Sequence, residues 1–250
     1  MRPIRLLEAM RYAVLSPSPR LQPFLLVESA RIFGREDEGV LRAAAALECV
    51  HAYSVVREGL PGENDAATNL AGDALLALAF DILADPAVDP DPLTCAALIG
   101  ALARAIGVGG MLGGRIFECE GEERVLTEAE LLQLQTMKTG VLFRHAVQAG
   151  ALLGRASEAD RHRLIAFGEK FGLAHRLACE LAKGSENADS ASEGVATSWS
   201  RQTLVAFYGI EKSRTLLAVT SAEAAATLEP FGVGGEMLAE AARYVAIRKT

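Results

Sequence analysis

Apolar residues recur along most of this chain at three- and four-residue intervals, the period of a helix with one buried face. Residues 4–15 read as an amphipathic opening helix. "SPSPRLQP" (16–23) interrupts it, since three prolines in eight residues cannot lie inside a helix. Residues 23–33 and 39–58 read as helices separated by "GREDEG", and "GLPGENDAA" breaks the chain again. "TNLAGDALLALAFDILAD" is a strong helix with Thr68 or Asn69 as its expected N-cap. "PAVDPDP" ends it, and Pro92 opens a helix over 92–106.

Thr127 and Glu130 have the spacing of a capping box at the head of a long helix that runs past Gly150. Another long helix spans 157–183. "GSENADSASEGVATSWS" (184–200) is small and polar and reads as a mobile loop. Helices over 201–227, with a break near Gly209, and over 233–248 close the chain. No period-2 strand and no short repeat is evident. The expected fold is all-α, a single large bundle of about ten helices. The loop at 184–200 could pass for a linker, but the two helices after it need a partner for their apolar faces. The whole of 1–250 is therefore expected to form one domain.

Composition narrows the class. Half of the 250 residues are hydrophobic and 23% are charged, as in ordinary globular proteins. A net charge of -7 gives no support to nucleic-acid binding or to docking on anionic lipid. The four cysteines, Cys49, Cys95, Cys119 and Cys179, contain no C-x-x-C pair; each sits in an apolar context and is expected to be a buried free thiol. A reducing cytoplasm is the expected location. "MRPIRLLEAMRYAV" lacks the long apolar core and cleavage site of a secretory leader. The most apolar run, "CAALIGALARAIGVGGMLGG", is interrupted by Arg104 and rich in glycine, which suggests a buried helix with a close-packed end rather than a membrane span.

Generic catalytic motifs are absent from the sequence. "GVGGMLGG" resembles a phosphate-binding loop, but it follows a helix instead of a strand, and helix–helix close approach explains it better. His51, His145, His162 and His175 show no metal-ligand spacing.

A family resemblance appears at "LRAAAALECVHAYSVV" followed by "NLAGDALLALAFDILA". The chain resembles the trans-isoprenyl diphosphate synthases, or polyprenyl synthetases, which include farnesyl and geranylgeranyl diphosphate synthases. The likeness runs nearly end to end. "EAMRYAVL…RLQP" resembles the opening helix and substrate loop, and "MLGGRIFECEGE" the Gly-Gly-Gln segment. "LLQLQTMKTGVLFRHAVQAGALLG" is similar to the Lys-Thr-Gly helix, and "FGEKFGLAHRLACEL" to the helix of the second metal motif. "SRQTLVAFYGIEKSR" and "EPFGVGGEMLAEAARYVAIR" resemble the segments that follow. The resemblance implies an isoprenoid-synthase-like bundle and a place in isoprenoid biosynthesis.

It also implies a chemistry. In the family, two aspartate-rich motifs each put carboxylates one turn apart on a helix face. Together they hold Mg²⁺ against the diphosphate of an allylic substrate, stabilising the leaving group as the allylic cation forms. Here the paired aspartates of the first motif fall on Glu58 and Gly59, and the later one near Asn64. Glu63 lies five positions on, about 140° round a helix, and does not replace the lost partner. Asp65 serves only if the loop bends back. Arg57 adjoins Glu58, and the family's twin-arginine segment is missing.

In the second motif, "CELAK", the aspartates fall on Cys179, Glu180 and Lys183, and the preceding glutamine is Arg176. In the homoallylic pocket Arg20 is kept, Pro19 replaces a lysine and Gln22 a second arginine. His51, Lys138, Thr139 and Gln148 match the family, and Arg201 stands in for a late lysine. Arg20, His51, Lys138, Thr139 and Arg201 are the diphosphate-binding candidates; Glu58 and Glu180 are remnants of the metal motifs. Packing is an alternative reason for keeping His51 and Lys138.

The expectation is a non-catalytic or regulatory homologue without a metal cofactor. It would bind a prenyl diphosphate-like molecule, or pair as a homodimer or with an active synthase. The alternative is an active short-chain synthase that uses Mg²⁺ and rebuilds its site from Glu58, Glu180 and Asp65 or Asp73. A third reading has Arg57, Arg176 and Lys183 neutralising a diphosphate without metal.

Overall fold

The computed structural model describes residues 3–58, 66–121, 124–189 and 203–247, with side chains placed except at 58, 66 and 183–189. Among these residues every regular element is helical. They run α1 Ile4–Leu15, α2 Leu21–Arg31, α3 Glu38–Glu58, α4 Ala66–Ala84, α5 Pro92–Ile106, α6 Met111–Gly121, α7 Glu128–Gln135, α8 Val141–Leu153, α9 Glu158–Asp189, α10 Leu204–Tyr208, α11 Ile210–Ala226 and α12 Glu236–Ile247. A π-helical turn, Thr136–Gly140, joins α7 to α8, and a 3₁₀ segment, Glu229–Gly235, precedes α12.

The chain divides into two compact units. One comprises Met1–Gly100 with Ala149–Arg155; the other comprises Ala101–Gln148 with Ala156–Thr250.

In the first unit α3 packs along α4, with α1 and α2 against its flanks. Leu25, Leu26, Val40, Leu47, Val50, Leu75, Ala79 and Val88 are its buried apolar core. Helix α2 starts at Leu21, two residues before the expected position, and Pro23 is accommodated in its first turn, where a backbone N–H has no helical partner to lose. Helix α4 starts at Ala66, so Thr68 and Asn69 lie inside it and do not cap it; Thr68 is buried. A buried carboxylate closes this unit. Asp89 accepts hydrogen bonds from Arg155 at 2.7 Å and from Arg35, and Arg35 also donates to the carbonyls of Val88 (2.9 Å) and Leu153 (3.0 Å). Burial pushes the Asp89 carboxyl upward, but the bonds from Arg35, the Asp91 N–H and Arg155 outweigh it and hold it below the usual carboxylate range.

In the second unit α9 is the central helix, in contact with α10, α11, α12 and the π turn. Phe143, Phe167 and Phe171 are fully buried at its centre, with ring centroids 5.3 Å (Phe143–Phe171) and 5.6 Å (Phe167–Phe171) apart. Gly172 brings α9 against the π turn: a Cβ there would lie 2.9 Å from the Gly140 Cα. The expected capping box is present, with the Glu130 N–H donating to the Thr127 hydroxyl and the Thr127 N–H donating to the Glu130 carboxylate. The helix expected to run unbroken from there is interrupted at Thr136–Gly140.

Helix α9 continues to Asp189, so residues 184–189 extend the helix rather than opening the polar loop. No proline or β-branched residue occurs between Gly184 and Asp189 to stop it. The rest of that loop lies outside the described residues. The break at Gly209 is present (φ 80°), a backbone conformation that favours glycine.

Three stretches, Glu38–Arg57, Ala67–Ala84 and Pro92–Gly121, are long and apolar enough to cross a membrane by length and composition. The last is broken by a turn at Gly107–Gly110, and 67% of the first is buried against its neighbours. Two of the four cysteines depart from expectation: Cys119 is exposed and Cys179 half-buried, while Cys49 and Cys95 are buried. Cys119 lies in the last turn of α6, in an acidic stretch whose outer face meets solvent.

Candidate functional site

Arg20 sits at the N-cap of α2 in the left-handed region (φ 52°, ψ 35°), unusual for a residue with a Cβ. Its side chain accounts for the geometry. The guanidinium is ion-paired with Glu48 of α3 and donates to the carbonyls of Val14 at 2.5 Å and Ser16 at 3.0 Å. Arg20 thus joins the end of α1 to α3 through protein groups. Glu48 precedes His51 by one turn, is 7% exposed, and keeps Oε2 buried without a hydrogen-bond partner among the described residues. His51 is half-buried, and the Ser54 hydroxyl donates to its carbonyl at 2.7 Å. Arg57 and Asp73 are exposed. Glu58 is the last residue of α3; its side chain, and Glu63, Asn64, Asp65 and Arg201 as a whole, lie outside the described residues.

In the second unit the π turn carries Lys138 and Thr139. A π turn inserts one residue into the helical repeat and so re-aims the side chains around it. Lys138 Nζ donates to both carboxylate oxygens of Glu118 on α6, at 3.0 and 2.9 Å, and both side chains are 12% exposed. Gly114 makes this approach possible: a Cβ there would lie 2.8 Å from the Lys138 nitrogen. Thr139 and Gln148 are half-buried.

Glu180 is buried on α9. Its Oε1 accepts from Arg176 Nε at 2.7 Å, one turn earlier on the same helix. Its Oε2 accepts the backbone N–H of Val205 at 3.2 Å. Val205 is the second residue of α10, whose N-terminal N–H groups have no helical acceptor. The Thr203 hydroxyl satisfies another, that of Ala206, at 3.0 Å. Glu180 therefore serves as a second cap, supplied from α9, at the helix end that attracts negative charge.

Sequence reading missed three of these partners. Glu48 was visible as a lone carboxylate in an apolar run, and Glu118 in "FECEGE". The third is His175, whose ring nitrogens lie 3.9 Å (Nδ1) and 3.8 Å (Nε2) from Cys179 Sγ. The signal for it was a His-x-x-x-Cys spacing, one helical turn. Among the described residues no three His, Cys, Asp or Glu side chains are grouped so as to hold a metal. Mg²⁺ requires several oxygen ligands. Around Glu180 the helix offers Arg176 and Cys179, a cation and a sulfur, and both Glu180 oxygens already accept hydrogen bonds. This donor set does not fit Mg²⁺.

Comparison with known proteins gives the class of fold and then the family. A solved apo structure of an FPP/GFPP synthase from Zymomonas mobilis superposes with a TM-score of 0.84 at 34% identity, over 96% of this chain and 88% of that one. The farnesyl diphosphate synthase of Geobacillus stearothermophilus is 30% identical over 267 aligned residues, 98% of this chain and 89% of that protein. The chloroplastic heterodimeric geranylgeranyl pyrophosphate synthase large subunit 1 of Arabidopsis thaliana is 28% identical over 89% of this chain and 66% of its own length. The family model described as "Polyprenyl synthetase" matches residues 62–178. The fold is an all-α, isoprenoid-synthase-like bundle. The chain belongs to the polyprenyl synthetase family.

Proposed function

We propose that this protein is a polyprenyl synthetase homologue of isoprenoid metabolism that has given up Mg²⁺-dependent prenyl transfer. It acts as a non-catalytic partner subunit or as a binder of prenyl diphosphate-like molecules. One observation carries the reading: the carboxylate retained in the second motif is buried, ion-paired to Arg176 and capping α10. A carboxylate so engaged would have to give up both contacts to bind a metal. Lys138 and Arg20, which resemble the family's diphosphate cations, are likewise committed to Glu118 and Glu48.

The partner-subunit form draws support from the Arabidopsis relative, itself named as a subunit of a heterodimeric enzyme. It also draws on an apolar surface in the second unit, where Val108, Leu112 and Ile116 are 90%, 40% and 59% exposed. A cytoplasmic location, a single functional domain over 1–250 and a homodimer or heteromer belong to the same proposal.

The second reading, an active short-chain synthase with an atypical site, rests on the 30–34% identity to proteins named as synthases. One assay separates the two. The purified protein is incubated with Mg²⁺, isopentenyl diphosphate and allylic diphosphates of increasing length, and products are read by mass spectrometry. No elongated product is expected. Sustained turnover would overturn the proposal. Addition of an active synthase then tests the partner form, which requires co-purification or a changed product length.

A further inference from the structure

Between α9 and the junction of α7 with α8, the second unit holds a cavity of about 350 Å³. Leu132 and Leu173 give it apolar surface, and Gln135 and Gly140 are the buried members of its lining. None of the candidate diphosphate-binding residues among those described lines it. Gln135 immediately precedes the π turn, a distortion that recurs at functional sites. Gln135 is 4% exposed, and its Oε1 is buried without a hydrogen-bond partner among the described residues. An acceptor left in this state is rare and costly, because it has given up water with no bond in return.

The charged groups around the cavity are matched in sign. Arg144 Nε lies 3.3 Å from Glu169, and Lys170 is paired with Glu223. An anion drawn to either cation meets a carboxylate beside it, and a cation drawn to either carboxylate meets the reverse. The Thr136 hydroxyl is committed to the Leu132 carbonyl at 2.9 Å. Among the described lining groups the unmet demand is that of Gln135, for one hydrogen-bond donor next to apolar surface. The terminal torsion of a glutamine is broad, so its carboxamide can turn toward a ligand at little cost.

We propose that this cavity binds a small neutral molecule with an apolar body and one hydroxyl group. The hydroxyl donates to Gln135 Oε1, and the body lies against Leu132 and Leu173. A hydroxyl also accepts, so it can take a hydrogen bond from the amide nitrogen of the same side chain. At about 30 Å³ for each water-sized atom, the cavity takes about a dozen non-hydrogen atoms, the size of an alcohol of about ten carbons. The proposal goes beyond the functional reading above and stands whether or not the protein turns over prenyl substrates.

The test is a ligand-observed NMR titration of the full-length protein with three probes: geraniol, its methyl ether and the matching carboxylate, geranate. The alcohol is expected to bind the parent about three- to tenfold more tightly than the ether, which accepts a hydrogen bond but cannot donate one. It is also expected to bind more tightly than the carboxylate. Gln135→Leu should keep apolar binding and erase the preference for alcohol over ether. Thr136→Trp places a large side chain at an exposed position of the rim and should remove alcohol binding without disturbing the core. No alcohol binding to the parent, an ether bound equally well, or a carboxylate bound more tightly each overturns the proposal. So does a preference that persists in Gln135→Leu, or alcohol binding untouched by Thr136→Trp. If Gln135→Leu fails to fold, the three probes on the parent and the Thr136→Trp titration still decide the matter.

Discussion

Arg176 and Glu180 form an ion pair at 2.7 Å, one turn apart on α9, and Glu180 uses its other oxygen to cap α10. The Glu180 side chain is 4% exposed and that of Arg176 23%. This arrangement makes Glu180 a stability residue, which gives the first prediction. Glu180→Gln keeps the shape and loses the charge, and should cost about 1–3 kcal/mol. Glu180→Ala leaves Arg176 and the Val205 N–H without their acceptor and should cost more, about 3 kcal/mol or above. Urea denaturation measures both. A carboxylate kept for metal binding would behave in the opposite sense, since its removal relieves repulsion in the empty site; unchanged or raised stability would therefore count against the structural role.

Lys138 and Glu118 lead to a second prediction, tied to the diphosphate-binding reading. Any anion that binds Lys138 must displace a carboxylate in contact with it through both oxygens. Glu118→Gln replaces that charge with a neutral acceptor. Inorganic pyrophosphate should bind the variant about tenfold more tightly than the parent, the difference expected from weakening one charged hydrogen bond. Adding Lys138→Met should abolish the gain. Calorimetric titration measures the three proteins, and equal affinity in all of them would remove Lys138 from the binding site.

Much of the fold was legible because it rests on local rules. The capping box at Thr127 and Glu130 involves residues three apart, and Gly209 marks a turn by its own conformational freedom. The π turn at Thr136–Gly140 was not legible, because one inserted residue barely disturbs a 3.6-residue apolar period. The N-cap placed at Thr68 or Asn69 failed for a related reason. The preceding alanines, Ala66 and Ala67, extend the helix at no side-chain entropy cost, and the polar residue that follows need not mark its start. At the site, the unusual residue types were legible from the pattern they depart from. Their partners were not. Glu118 reaches Lys138 from 20 residues away, and Val205 reaches Glu180 from 25, distances over which no sequence periodicity operates.

Gly172 carries a third prediction, about packing. A Cβ at this position would stand 2.9 Å from the Gly140 Cα and 3.4 Å from the Phe143 ring. The first of these neighbours is backbone and cannot rotate away. Gly172→Ala should therefore force α9 off the π turn, at about 1–3 kcal/mol, despite the higher helix propensity of alanine. Thermal unfolding reads the loss. A stabilised variant would mean that α9 and the π turn are less closely packed than described.

His145 supplies a prediction about acid. It is 4% exposed on α8, and its Nδ1 has no hydrogen-bond partner among the described residues. Burial first, and then the charge of Arg104, lower its pKa from 6.5 to about 4. The unfolded chain thus takes up a proton near pH 6.5 that the folded chain refuses until about pH 4. The sign follows: this histidine leaves stability unaffected by pH above the unfolded value and erodes it as pH falls from 6.5 toward 4. The slope in that window approaches about 1.4 kcal/mol per pH unit, and the accumulated loss is on the order of 3 kcal/mol. His145→Leu removes the titrating group and fills similar apolar space. Urea denaturation of the parent and variant between pH 7.5 and pH 4.5 should give curves that diverge as the pH falls, with the variant flatter by about one proton's slope. Parallel curves would show that His145 does not take its proton preferentially in the unfolded state.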